Sequence, residues 1–167
     1  MNPDSLLDAI TRKDAVVFVP DPRDRRTTTL FSDGIANVVR AMEAKGVRRV
    51  LTVSSAGLEP TSGMPPAKRM YAAWVLERRM RNVYLDLARM EDELEFSDTD
   101  WTVVRAAPSD RPAAGAYRVS AAGSGGARHV SRQAVANYLL AHLADWETYQ
   151  RKLLISSNGN GRGGAGT

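Results

Sequence analysis

Apolar and polar positions follow two different periods along this chain, and the switches between them mark out the elements. Leu6, Leu7 and Ile10, between Asp4 and Thr11, read as a short amphipathic helix. Ala15 to Val19 is a compact apolar run ended by Pro20, the length of a buried strand. A polar loop with two prolines, Pro20 to Arg26, leads to a helix over Thr29 to Lys45. Its Phe31, Ile35, Val38, Val39 and Met42 fall on one face, and Gly46 stands where a helix-ending glycine belongs. Arg49 to Ser54 predicts a second buried strand. Ala56 to Pro66, rich in Gly, Pro, Ser and Thr, predicts a surface loop. The long helix expected over Ala67 to Phe96 carries Met80, Val83, Leu87, Met90 and Leu94 at spacings of three and four. Trp101 to Arg105 is a third strand. Ala116 to Ser120 is a short extra one, leading into a flexible segment, Ala121 to Ala127. Ser131 caps a helix bearing Val135, Tyr138, Leu139 and Leu143, and Lys152 to Ser156 is the last strand.

Strands separated by single helices imply right-handed crossovers, hence an α/β fold with a parallel sheet and helices on both faces. A chain of 167 residues suits one domain, expected over 1–157, with a Gly-rich tail over 158–167. The net charge of +4 is spread among interspersed acids with no long Lys/Arg block, which argues against a nucleic-acid partner. Met1-Asn2-Pro3-Asp4 has neither a basic nor an apolar leader, and no apolar run approaches the roughly 18 residues of a membrane span. A cytoplasmic protein without a membrane partner is expected. The absence of Cys excludes disulfides and thiolate metal sites, and no His or carboxylate spacing suggests a metal.

Candidate chemistry gathers where open α/β sheets bind ligands, at the carboxyl ends of parallel strands. Ser54 and Ser55 end one strand, Pro20 and Asp21 follow another, Ala107 and Pro108 follow a third, and His129 precedes a helix cap. Each has a plainer reading. A strand-end serine satisfies loop backbone groups, Asp21 and Asp24 are solvated loop charges, and Tyr84, next to a core Val, is a packing residue. His142, among Tyr138, Leu139 and Leu143, reads as packing or surface. Gly159, Gly161 and Gly164 match the dinucleotide-binding Gly-x-Gly-x-x-Gly pattern, but only three residues follow, too few for the helix that pattern needs.

Two long segments, TTTLFSDGIANVVRAMEAKGVRRVLTVSSAG (Thr27 to Gly57) and YLDLARMEDELEFSDTDWTVVRAAP (Tyr84 to Pro108), carry a family resemblance. GAYRVS and HVSRQAVANYLLAHL follow in the right order. Together, across Asp4 to Ser156, the chain resembles the atypical short-chain dehydrogenase/reductases, the group of NmrA-like proteins and biliverdin-reductase-B-like flavin reductases. The resemblance implies a Rossmann-like parallel sheet of about four strands, the family's fourth to seventh. The glycine-rich half that holds the cofactor pyrophosphate would then be missing. It also implies that Ser54 or Ser55 lies beside nicotinamide and substrate. The family's Tyr-x-x-x-Lys pair is absent, since none of Lys13, Lys45, Lys68 and Lys152 lies four residues after a Tyr. Tyr84 is the candidate substitute. The family's Arg-Pro-Pro reads Arg105-Ala106-Ala107, and its Gly-containing turn reads Pro20-Asp21-Pro22, which loses backbone N–H donors.

The resulting expectation is a small-molecule enzyme of this descent that uses no cofactor. It would perform acid–base chemistry such as isomerisation, cyclisation or elimination, with Ser54, Ser55, Tyr84 and His129 catalytic and Pro20, Asp21, Ala107 and Pro108 touching substrate. The alternatives are an NAD(P)H-dependent oxidoreductase completed by a partner or dimer, with NADPH as the cofactor, and a non-catalytic NmrA-like binding or regulatory protein. The apolar strand Ala15 to Val19 would form an exposed edge, so a homodimer or complex across it or the adjoining helix faces is expected.

Overall fold

The computed structural model describes residues 3–21, 29–58, 66–109, 117–123 and 129–158. Pro22 to Arg26 of the proline loop, with Asp24, lies outside the described residues. So do Lys68's side chain, positions 59–65 and 124–128, and the tail glycines Gly159, Gly161 and Gly164.

The described elements are α1 (Pro3–Ile10), β1 (Ala15–Phe18), α2 (Leu30–Lys45), β2 (Arg49–Ser55), α3 (Pro66–Glu95), β3 (Asp100–Ala106) and β4 (Pro108–Ser109). After them come β5 (Tyr117–Ala121), β6 (Val130–Ser131), α4 (Arg132–Ala141) and β7 (Arg151–Ser157). The main sheet runs β1-β2-β3-β7-β5. The first four are parallel, with Val50 beside Val16 and Trp101, and Val104 beside Leu153. The expected short strand at Ala116 to Ser120 is β5. It pairs antiparallel with β7, so the sheet has five strands rather than four. A two-stranded ladder, β4 with β6, ties the end of β3 to the start of α4.

Period-two alternation divides the core. Val50 and Val103 face α1, α2 and α3, joining Ile35, Val38, Met42, Val83, Leu87, Met90 and Leu94 in the larger cluster. Leu51, Val104 and Ile155 face the other way, against Val135, Tyr138 and Leu139 of α4. That second face is only partly covered. Beside α4, over β1 and β2, an open groove of about 370 Å³ is lined by Val17, Val19, Val53, Val135, Leu139 and Leu140, with Pro108 and Arg132 at one end. β1 has a neighbour on one side only among the described residues.

Local chemistry sets the helix ends. Gly46 takes φ of 69°, and the N–H groups of Gly46 and Val47 close back on Glu43 and Met42; only glycine enters this region without strain. At the other end of α2, Thr29 makes no side-chain cap. The Asp86 carboxylate of α3 does so instead, accepting from the N–H groups of Phe31 (3.0 Å) and Ser32 (3.2 Å) and from the Ser32 hydroxyl. Asp86 is 1% exposed. This cap supplied by another helix satisfies two orphan donors and fastens α3 to α2. α4 has the expected cap, with Ser131 Oγ accepting from Ala134 N–H at 3.1 Å.

A second fastening sits at the amino end of the strands. The buried Arg49 guanidinium donates to the carbonyls of Asp100, His142 and Leu143 and to the hydroxyls of Thr102 and Thr148, all at 2.8–2.9 Å. It also lies 4.5 Å over the ring of Tyr149. Burial pushes its pKa down against the pull of Tyr149 and Asp100. His142 stacks on Tyr138 and its Nδ1 meets the Tyr138 carbonyl, the packing role read from its neighbours.

Candidate active site at the carboxyl edge of the sheet

Because β1, β2 and β3 are parallel, the chain leaves all three at one edge. Pro20 and Asp21 follow β1, Ser55 and Gly57 close β2, and Ala107 and Pro108 follow β3. His129 joins them through β6. The N–H of its neighbour Val130 donates to the Ala107 carbonyl at 3.1 Å, and Pro108 is paired with Val130. Asp21 and His129 are exposed, and Pro20 is half-buried.

The two serines that end β2 point to opposite faces and have different surroundings. Ser54 is 3% exposed, and its hydroxyl donates to Glu91 Oε1 at 2.6 Å. Its proton is committed to a buried carboxylate of α3. Ser55 is half-buried, and its Oγ accepts from the N–H of Gly57 at 3.0 Å. A hydroxyl that accepts one bond keeps its own proton to donate. Tyr84 reaches the same turn from α3. A Cβ at Gly57 would stand 2.5 Å from the Tyr84 phenol oxygen, so only glycine admits that ring against the turn. Two O–H groups, Ser55 and Tyr84, thus lie against Gly57 at the end of one strand.

Glu91 is the centre of a polar cluster that the sequence reading did not single out. Arg105 holds it with two bonds, Nε at 3.1 Å and Nη2 at 2.7 Å, and Lys152 Nζ stands at 3.2 Å. Lys152 also reaches Glu95 at 2.6 Å. Burial pushes the Glu91 pKa up, but the Arg105 and Ser54 hydrogen bonds and the charges of Arg105 and Lys152 outweigh it, and the carboxyl is held below its usual range. Lys152 is the mirror case: burial lowers it, while Glu95 and Glu91 raise it overall. A signal was available, since Asp86 and Glu91 interrupt the Val83–Leu87–Met90–Leu94 stripe on its buried side. A charge at such a place is paired or it is expelled.

Among the described residues, no group of three or more His, Asp or Glu could hold a metal ion, and no helix is long and apolar enough to cross a membrane.

The fold is shared with known structures. A short-chain dehydrogenase/reductase from Veillonella parvula, in complex with NADP, superposes with a TM-score of 0.73 at 23% identity, over 95% of this chain and 70% of that one. A protein described as a candidate NAD-dependent epimerase/dehydratase from Bacillus halodurans gives 0.69 at 24% identity, over 91% and 68%. One described as a candidate NADH-flavin reductase from Streptococcus pneumoniae gives 0.66 at 18% identity, over 95% and 79%. At these identities the likeness speaks to the fold alone. The sequence itself goes further, because the model of the NAD(P)H-binding family matches residues 1–145. With its Rossmann-like sheet, the chain belongs to the NAD(P)H-binding family.

Proposed function

We propose that this chain forms the substrate side of an NAD(P)H-dependent oxidoreductase site, with Ser55 and Tyr84 as the proton donors to a carbonyl or quinone oxygen. Family membership favours this reading over the cofactor-free enzyme expected at first. The observation that carries it is the pair of hydroxyls against Gly57 at the end of β2, on the edge where sheets of this class bind their ligands. The described residues suit the reactive end of a nicotinamide cofactor, which supplies a hydride when bound. Ser55, Tyr84, Ala107 and Pro108 would face that end. They do not suit its phosphates: Pro20 offers no N–H, and Arg105 is occupied by Glu91. Ser54 holds Glu91 and takes no part in chemistry.

NADPH and NADH titrated into the 167-residue chain by calorimetry, followed by nicotinamide oxidation with a quinone or flavin acceptor, test this reading. Binding is expected, with kcat lowered about 100-fold by Tyr84→Phe or Ser55→Ala and little changed by Ser54→Ala. Absence of binding by either nucleotide at millimolar concentration overturns it.

A second reading draws on Pro20 and the occupied Arg105, features that leave the site poor in phosphate contacts. In it the same hydroxyls, with His129, perform acid–base chemistry without a nucleotide. Solvent deuterium entering an enolisable ketone in the absence of NADPH would favour that reading over the first.

A further inference from the structure

Tyr84 and Glu91 stand seven residues apart on α3, two turns along one face of the helix. Tyr84 lies over Gly57, in the turn that closes β2, and Glu91 meets Ser54, three residues earlier. The order is reversed between helix and strand, so α3 runs back along β2. Whatever fixes the height and rotation of α3 at Ser54 therefore also fixes where the Tyr84 phenol stands.

The fixing is done from three neighbouring strands, on a carboxylate 2% exposed. Glu91 Oε1 accepts from the Ser54 hydroxyl of β2 at 2.6 Å and from Arg105 Nε of β3 at 3.1 Å. Its Oε2 accepts from Arg105 Nη2 at 2.7 Å and stands 3.2 Å from Lys152 Nζ of β7. A carboxylate offers about four acceptor sites, and these contacts use them. The rest of the inner stripe of α3, with Val83, Leu87, Met90 and Leu94, is apolar. Apolar contact has no direction and tolerates a small rotation, whereas a set of hydrogen bonds from three strands does not.

We infer that Glu91 is a positioning residue for Tyr84: held by β2, β3 and β7, it sets the rotation of α3 that lays the phenol against Gly57 beside Ser55. The inference rests on the reading above, in which those two hydroxyls serve one substrate oxygen. Glu91 acts through Tyr84 and not on the substrate. Side-chain ends stand about 5–6 Å from a helix axis, so turning α3 by about 10° moves them by about 1 Å. A misplacement of that size costs up to about 100-fold in rate. Arg105 alone engages both carboxylate oxygens, with Lys152 beside it, which is why Ser54→Ala is expected to change kcat little.

The test joins a spectrum that needs no activity to a rate that does. The full chain is labelled with 3-fluorotyrosine, and the fluorine resonance of Tyr84 is assigned by its loss in Tyr84→Phe. Glu91→Gln, equal in size but able to accept through one oxygen only, is expected to shift or broaden that resonance. The resonance of Tyr149, beside Arg49 at the opposite end of the sheet, should stay in place. Leu94→Val, which weakens the same helix without touching the carboxylate, should move neither. In nicotinamide oxidation with the quinone acceptor, Glu91→Gln is expected to lower kcat about tenfold, with the KM for NADPH within about twofold of wild type. Arg105→Lys, which keeps the charge but loses the paired geometry, is read in its place should Glu91→Gln not fold. A Tyr84 resonance unmoved in the folded variant overturns the inference, whether or not the chain oxidises NADPH. So does an equal response to Leu94→Val, which would make Glu91 a source of stability alone, and so does a moved resonance with kcat unchanged. A resonance moved by Glu91→Gln alone, in a chain that oxidises no nucleotide, supports the hold of Glu91 on Tyr84 and overturns the oxidoreductase reading instead.

Discussion

The two faces of this sheet solve the same problem in opposite ways. On one, α1, α2 and α3 close over the strands so fully that two carboxylates, Asp86 and Glu91, are 1% and 2% exposed, and each is met by several donors. On the other, α4 covers part of the sheet and leaves valines in water. The closed face carries polar groups held in place by several partners, while the open face leaves apolar groups exposed among the described residues. Stability therefore rests on the first.

Breaking the closed face should be far costlier than altering the open one. Glu91→Ala leaves the half-buried Arg105 without its carboxylate and removes the acceptor of Ser54, so a loss of about 3 kcal/mol is expected from urea unfolding. Asp86→Ala strips the remote cap from α2, with an expected loss of about 1–3 kcal/mol. Asp86→Asn, able to accept one of those bonds, should recover part of it. The smallest effect is on the acid limb. The folded pKa of Glu91 lies below its unfolded value of about 4.3, so its contribution is complete above that value and is lost as pH falls through the folded one. Lys152 works the other way, contributing fully below about 10.4 and losing that contribution as pH rises through its raised folded value. Urea midpoints of wild type and Glu91→Gln should therefore converge as the pH falls below 4. Parallel curves would show that the pKa of Glu91 is the same in the folded and unfolded chain.

Most of the fold was legible because burial writes a period into the residues. Val83, Leu87, Met90 and Leu94 could hardly be anything but the inner stripe of a helix, and Gly46 announced the end of α2. The direction of β5 was not legible, since Tyr117 to Ala121 has the same local pattern whichever way it pairs. The site was half legible. Strand ends pointed to Ser54 and Ser55 together, and the alternation of β2 already said that they face apart. Which of them meets a carboxylate depends on α3, whose Glu91 lies 37 residues further along. Such pairings have no local signature. Asp86 shows the same limit, since a cap normally precedes its own helix and this one follows it by more than fifty residues.

Arg49 gives the molecule a polarity in time as well as in space. Its five hydrogen bonds lock the starts of β2 and β3 to the turn before β7, at the end of the sheet opposite Ser55 and Tyr84. Amides next to that clamp, such as that of Gln150, bonded to the Trp101 carbonyl at 2.7 Å, should exchange with solvent only through global unfolding. Amides near Gly57 and Val130 should exchange through smaller openings. The sheet is thus fastened at its amino end, and local openings are expected to concentrate at the opposite edge, where the proposed site lies.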